Sequence, residues 1–140
     1  MEYRNSLVKP TLDTPYSIDF EWWKEHDRDW RIYMRNFLCT YHSELLQDVS
    51  DNEKIDWIDS NTAEVKTVDA IQHTLITHCA KEEEFATTNS ALVDSVFRLF
   101  LADGNKPLTC QELGEKLGKS PSLILRTFSS LKVYKGIRPA

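Results

Sequence analysis

The stretch from Leu108 to Pro121 holds the start and stop of one short helix and the start of another, and no other part of the chain is so tightly constrained. Thr109-Cys110-Gln111-Glu112 has the form of a capping box: the Thr109 hydroxyl accepts from the N3 amide while Glu112 reaches back to the N-cap amide. Leu108 and Leu113 occupy the N′ and N4 positions of a hydrophobic staple. Leu117 is the last periodic apolar residue, and Gly118 follows where a left-handed backbone ends a helix. The next helix starts at once, with Ser120 as N-cap and Pro121 at N1, and continues through Ile124, Leu125, Phe128 and Leu131. Upstream, a helix is expected from about Ser90 to Ala102, capped by Asn89 or Ser90. Leu92, Val93, Val96, Phe97 and Phe100 form its apolar face, and Gly104 stands just past its end.

A helix of about eight residues, a Gly118-Lys119-Ser120 turn and a second helix resemble the helix-turn-helix superfamily. The matching residues are Leu113, Gly114, Leu117, Gly118, Ser120, Ile124, Arg126 and Leu131, with Gly114 at the small-residue site where two helices cross closely. Val133-Tyr134-Lys135-Gly136-Ile137-Arg138 looks like the strand that opens a winged helix, in truncated form, since Ala140 is the last residue given. The resemblance covers about 50 of the 140 residues and does not reach the first 87. It implies that the third helix faces a DNA target. With Ile124, Phe128 and Leu131 turned inward, 100° per residue puts Ser122, Arg126, Ser129 and Ser130 outward. Lys119, Lys132, Lys135 and Arg138 flank that face as phosphate contacts, and Arg126 alone has the reach to pair with guanine. The same fold also docks proteins, so a protein–protein adaptor is the alternative function.

Charge is uneven along the chain. The net formal charge is −5, yet residues 88–140 carry 8 Lys+Arg against 4 Asp+Glu, while residues 1–87 carry 9 against 18. After Glu115 there is no acidic residue, which points to a polyanion-facing end, although basic tails also arise by chance. Glycine (4) and proline (5) are scarce, which favours helices over a turn-rich β fold. A mainly α fold is therefore expected, in three parts: an extended arm over 1–18, an acidic and aromatic-rich helical platform over 19–87, and the basic helix-turn-helix unit over 88–140.

Within the platform, Trp23, Trp30 and Phe37 recur every seven residues, with Met34, Tyr41 and Leu45 on the same stripe, and predict one long helix from about Phe20 to Gln47. Lys54–Asp59 and Glu64–Val68 alternate polar and apolar residues around a Ser60-Asn61-Thr62-Ala63 turn. This reads as a short β-hairpin, with the start of a helix near Thr62 as the competitor. Asp69 and Gln72 then cap a helix running to about Ala80, and Lys81-Glu82-Glu83-Glu84 marks a boundary. The platform is expected to dimerise or to sense, with Trp22 or Trp23 at a two-fold interface.

Other chemistry is sparse. Cys39 and His42 stand at i, i+3 on one helix, and His73, His78 and Cys79 on another; four such groups can in principle bind zinc. His73, His78 and Cys79 do not share a helix face, so core thiols and partly buried imidazoles are the expectation, with no metal and no cofactor. Asp59-Ser60-Asn61-Thr62 opens like a calcium loop but lacks its glycine and its final acid. Glycine-rich phosphate loops are absent, and serines and histidines are too scattered for a nucleophile with its base, so no enzyme is expected. Three cysteines far apart suit reduced thiols in the cytoplasm, and neither a membrane span nor a secretory signal is read. The function expected is a small DNA-binding, transcription-regulator-like homodimer.

Overall fold

A computed structural model describes residues 9–49, 54–87 and 90–140. In chain order its elements are β1 (Pro15–Ile18), α1 (Phe20–His26), α2 (Trp30–Arg35), α3 (Thr40–Leu45), β2 (Lys54–Ile58), β3 (Val65–Asp69), α4 (Ala70–Thr77), a 3-10 turn (Cys79–Lys81), α5 (Leu92–Ala102), β4 (Leu108–Thr109), α6 (Cys110–Leu117), α7 (Pro121–Phe128) and β5 (Ile137–Pro139). Of the described residues 45% are helical and 15% are strand, in two small sheets, a mixed α/β architecture that corrects the mainly α expectation. The strands run from two to five residues, too short for alternation to stand out against the helical periodicity around them.

Two compact units result: residues through Asp27 together with Glu84–Ala140, and Arg28–Glu83. In the first, the segment read as an extended arm supplies the central strand of a three-stranded antiparallel sheet, in the order β4-β1-β5; residues 1–8 of that arm lie outside the described residues. Tyr16 pairs with Leu108, Ser17 with Arg138 and Ile18 with Ile137. Pro15 is tolerated because it stands first in its strand. The Val133–Arg138 segment, expected to open a wing, contributes β5 from Ile137 onward, and its partner is β1. Tyr16, Ile18, Trp23, Val96, Phe97, Phe100, Cys110, Leu113, Ile124, Phe128 and Ile137 are buried, with Trp23 edge-on to Phe97 at 5.4 Å.

The single helix expected over Phe20–Gln47 is instead three short ones, α1, α2 and α3. Aspartates punctuate it. Asp19 caps α1 by accepting from the Trp22 amide at 3.1 Å, and Asp27 leaves the helix in an extended conformation while its carboxylate takes the Trp23 indole N–H at 3.0 Å. The seven-residue aromatic spacing was genuine as a burial pattern, since Trp23, Trp30, Met34 and Phe37 are all buried. It ends before Tyr41 and Leu45, which are 67% and 60% exposed.

In the second unit, β2 and β3 form the antiparallel hairpin, with Ile55 opposite Val68 and Trp57 opposite Lys66, so the strand reading prevails over the helical one. The Asp59 carboxylate accepts from Asn61 N–H at 2.8 Å and so shapes the turn. β3 runs straight into α4, because Asp69 ends the strand and caps the helix: one carboxylate oxygen accepts from the Gln72 amide at 3.0 Å, the other pairs with Arg31 Nε at 2.6 Å. α2 packs on α4. The helix stops at Thr77 rather than Ala80, and the 3-10 turn follows. Arg35 donates to the carbonyls of Leu46 and Val49 beyond α3, at 2.9 and 2.8 Å. No helix among the described residues is long and apolar enough to cross a membrane.

Candidate functional site

The α6–α7 pair is built by local capping. Thr109 Oγ1 accepts from the Glu112 amide at 3.1 Å, and Glu112 Oε1 accepts from the Thr109 amide at 2.9 Å, a complete capping box. Gly118 stops α6 in the left-handed region, at φ 65° and ψ 34°. Ser120 Oγ then accepts from the Leu123 amide at 3.2 Å, with Pro121 in the first turn of α7. The turn is tight enough that a Cβ on Gly114 would lie 2.7 Å from both the Lys119 carbonyl oxygen and Pro121 Cγ, so only glycine fits at this crossing.

α7 buries Ile124 and Phe128 and leaves Ser122 and Arg126 exposed. Ser129 caps its C-terminal end and is exposed. The expected extension through Leu131 does not occur: the helix stops at Phe128, and Leu131 lies fully exposed instead of turned inward. Leu123, on the helix itself, is 41% exposed. Ser130 is exposed, but its hydroxyl donates to the Thr127 and Lys132 carbonyls at 3.0 and 3.3 Å, a local turn contact. Lys132 is exposed, with its ammonium 5.0 Å from the Tyr134 ring centre, and Lys119 and Lys135 are half-buried. Arg138 stands apart from this set. Its guanidinium is 3.2 Å from the Asp19 carboxylate and 4.9 Å from the Trp22 ring centre, so it ties β5 to the start of α1.

The charge picture changes with the fold. Because the residues through Asp27 belong to the same unit as Glu84–Ala140, that unit carries eleven acidic and eleven basic residues, while the acidic excess sits in Arg28–Glu83. What remains basic is local, namely the acid-free stretch from Lys116 onward. Of Trp22 and Trp23, either of which is expected at an interface, Trp23 is buried within the unit, and the half-buried Trp22 is stacked on His26 at 4.1 Å with Arg138 near its ring.

A second constellation lies in the other unit. Cys39 is the N-cap of α3, His42 is in that helix, and Cys79 opens the 3-10 turn after α4. Cys39 Sγ is 3.0 Å from His42 Nδ1, and Cys79 Sγ is 3.5 Å from Cys39 Sγ and 3.7 Å from His42 Nδ1. The Cys39 backbone N–H also donates to Cys79 Sγ at 3.2 Å. Burial pushes the Cys79 thiol up to about 11, and its neighbour Cys39 adds smaller effects of both signs. His78 stacks on His42, with ring centres 5.0 Å apart and planes 18° from parallel. His73, grouped with these residues on sequence, instead lies against Trp57 at 5.3 Å, and burial, with the charge of His78 nearby, lowers its pKa. Helix-face spacing was the wrong criterion here, because the ligand-type atoms converge from two elements and Cys79 lies beyond the end of its helix.

No family model, no curated protein and no solved structure matches this chain.

Proposed function

We propose that the protein binds duplex DNA through α7, as a small helix-turn-helix regulator working in the cytoplasm. One observation carries the reading: α7 is packed by Ile124 and Phe128 on one face only, and its open side presents Ser122 and Arg126, with Ser129 and Lys132 exposed just beyond. No acidic residue follows Glu115 to repel phosphate. The half-buried Lys119 and Lys135 add charge beside that face, whereas Arg138 is committed to Asp19. Arg126 is the one side chain there able to reach two acceptors of a guanine. Replacing Arg126 with Ala is therefore expected to cost roughly 1–3 kcal/mol on a duplex selected from a random pool, and less on random duplex. An equal loss on both, measured by fluorescence anisotropy, would show that Arg126 reads no base. The cytoplasmic assignment rests on three free thiols, which persist in a reducing compartment.

A second reading, docking to a protein partner, is favoured by Leu123 and Leu131, which expose apolar surface on α7 and just beyond it. Leu123→Ser with Leu131→Ser separates the two, since it removes a docking surface and leaves the cations in place. Self-association belongs with the second unit, where Ile32, Tyr41 and Leu45 are exposed. Sedimentation at high micromolar concentration checks it, and a clean monomer would exclude it.

A further inference from the structure

Sulfur and imidazole nitrogen ligands brought together from separate elements are the usual makings of a zinc site. For Zn–S of about 2.3 Å and Zn–N of about 2.0–2.1 Å, tetrahedral angles put two sulfurs about 3.8 Å apart and a sulfur and a nitrogen about 3.6 Å apart. The Cys39–Cys79 separation of 3.5 Å and the Cys79–His42 separation of 3.7 Å are already close to those edges. The third edge, Cys39 Sγ to His42 Nδ1, is 3.0 Å and has to open by about 0.6 Å, a small rotation of one imidazole. We propose that Cys39, His42 and Cys79 hold a zinc ion, with His78 as the fourth ligand.

Three further observations agree with this. The Cys39 amide donates to Cys79 Sγ, the kind of supporting bond that orients metal ligands. His78 adjoins Cys79 in the chain and its ring stacks on His42, so a turn of that ring would bring a fourth donor to the cluster. The unit that contains these residues spans only Arg28–Glu83, a size at which a hydrophobic core alone contributes little and natural domains add a metal or a disulfide. The ion would clip the start of α3 to the turn that ends α4. Zinc takes the place of the thiol protons, so binding releases up to two protons to the solvent. The site lies in a different unit from α7, and its test does not depend on DNA binding.

The test uses the full-length chain, reduced and stripped of metal, titrated with Co²⁺ and then with Zn²⁺. The expected result is one Co²⁺ per chain, with the visible bands of tetrahedral cobalt and a sulfur-to-cobalt charge-transfer band, all bleached by one equivalent of Zn²⁺. Cys39→Ser should halve the charge-transfer absorbance per bound cobalt and weaken affinity by more than about tenfold, the lower end of what losing even a supporting residue costs. His42→Ala and His78→Ala should weaken affinity similarly while keeping the two-thiolate band. Cys110→Ala, in the other unit, should change nothing. Circular dichroism of each variant separates ligand loss from misfolding. A folded, reduced chain that shows no charge-transfer band overturns the proposal, as does a band that Cys39→Ser leaves unaltered. Unchanged affinity in His78→Ala would remove that residue from the ligand set. Purification as a Cys39–Cys79 disulfide that, once reduced, takes up no cobalt would equally exclude zinc.

Discussion

Asn105 does the work of a strand that is not there. Its side-chain oxygen accepts from the Ile18 amide at 2.8 Å and its side-chain nitrogen donates to the Ile18 carbonyl at 2.9 Å, so one amide mimics a backbone partner for the end of β1. It sits at φ 60°, which asparagine tolerates better than most residues. Asn105→Ala is expected to lower stability by about 2–3 kcal/mol, from two lost hydrogen bonds and a strained backbone. Asn105→Gly should recover the backbone part, and paired thermal melts check both. Tyr16 is the counterexample, since its buried hydroxyl has no hydrogen-bond partner among the described residues. Burial raises its pKa from 10.0 to about 12 and that of Cys110 from 9.0 to about 11. The unfolded chain thus gives up these protons at lower pH than the folded one does. The contribution of these two groups should be level below pH 9.0 and fall as pH rises towards about 12. In Tyr16→Phe the fall should be shallower above pH 10.0 and end near pH 11, where the thiol contribution is spent, and denaturant melts across that range are the check. Neither residue's role was legible in the chain, because Asn105 and Ile18 are 87 positions apart and Tyr16 lay in a segment read as an arm.

Helix ends were legible where side chains cap their own backbone within three residues. Thr109 with Glu112, Ser120 with Leu123, and Asp69 with Gln72 all bond as local chemistry dictates. Thr109→Ala should cost about 1 kcal/mol by orphaning an α6 amide, seen as a lower melting temperature. Coincident melts would mean that the cap contributes nothing to α6. The cap at Ser90 was misjudged: α5 starts at Leu92 with Ala91 at its N-cap, and the Ser90 carbonyl instead accepts from the Ser95 hydroxyl at 3.0 Å. The other candidate, Asn89, lies outside the described residues. Strands fared worse outside the β2–β3 hairpin. β1 is recognisable only through pairing with Leu108–Thr109 and Ile137–Pro139, and nothing within four residues of Tyr16 announces those partners. The exposure of Ser122 and Arg126 on the candidate DNA face follows from helical spacing, while the inward turn expected of Leu131 fails past the helix end and Arg138 is claimed by Asp19.

For the molecule as a whole, the chain closes on itself: the residues before Asp27 join Glu84–Ala140, with Arg28–Glu83 a unit of its own. The boundary near Lys81–Glu84 was visible as a charged run, but the return of the N-terminal segment was not, and that return cancels the net positive charge counted over 88–140. Any DNA affinity must therefore come from the local cations around α7. Each phosphate neutralised contributes about 0.9 to the slope of log affinity against log salt concentration. The decisive measurement is a fluorescence-anisotropy salt titration of duplex DNA with the intact protein and with the Lys119→Ala, Lys132→Ala double variant, which keeps the base-reading Arg126. The account predicts a slope flatter by nearly two in the variant, about 0.9 for each cation removed. Equal slopes for the two proteins would contradict it.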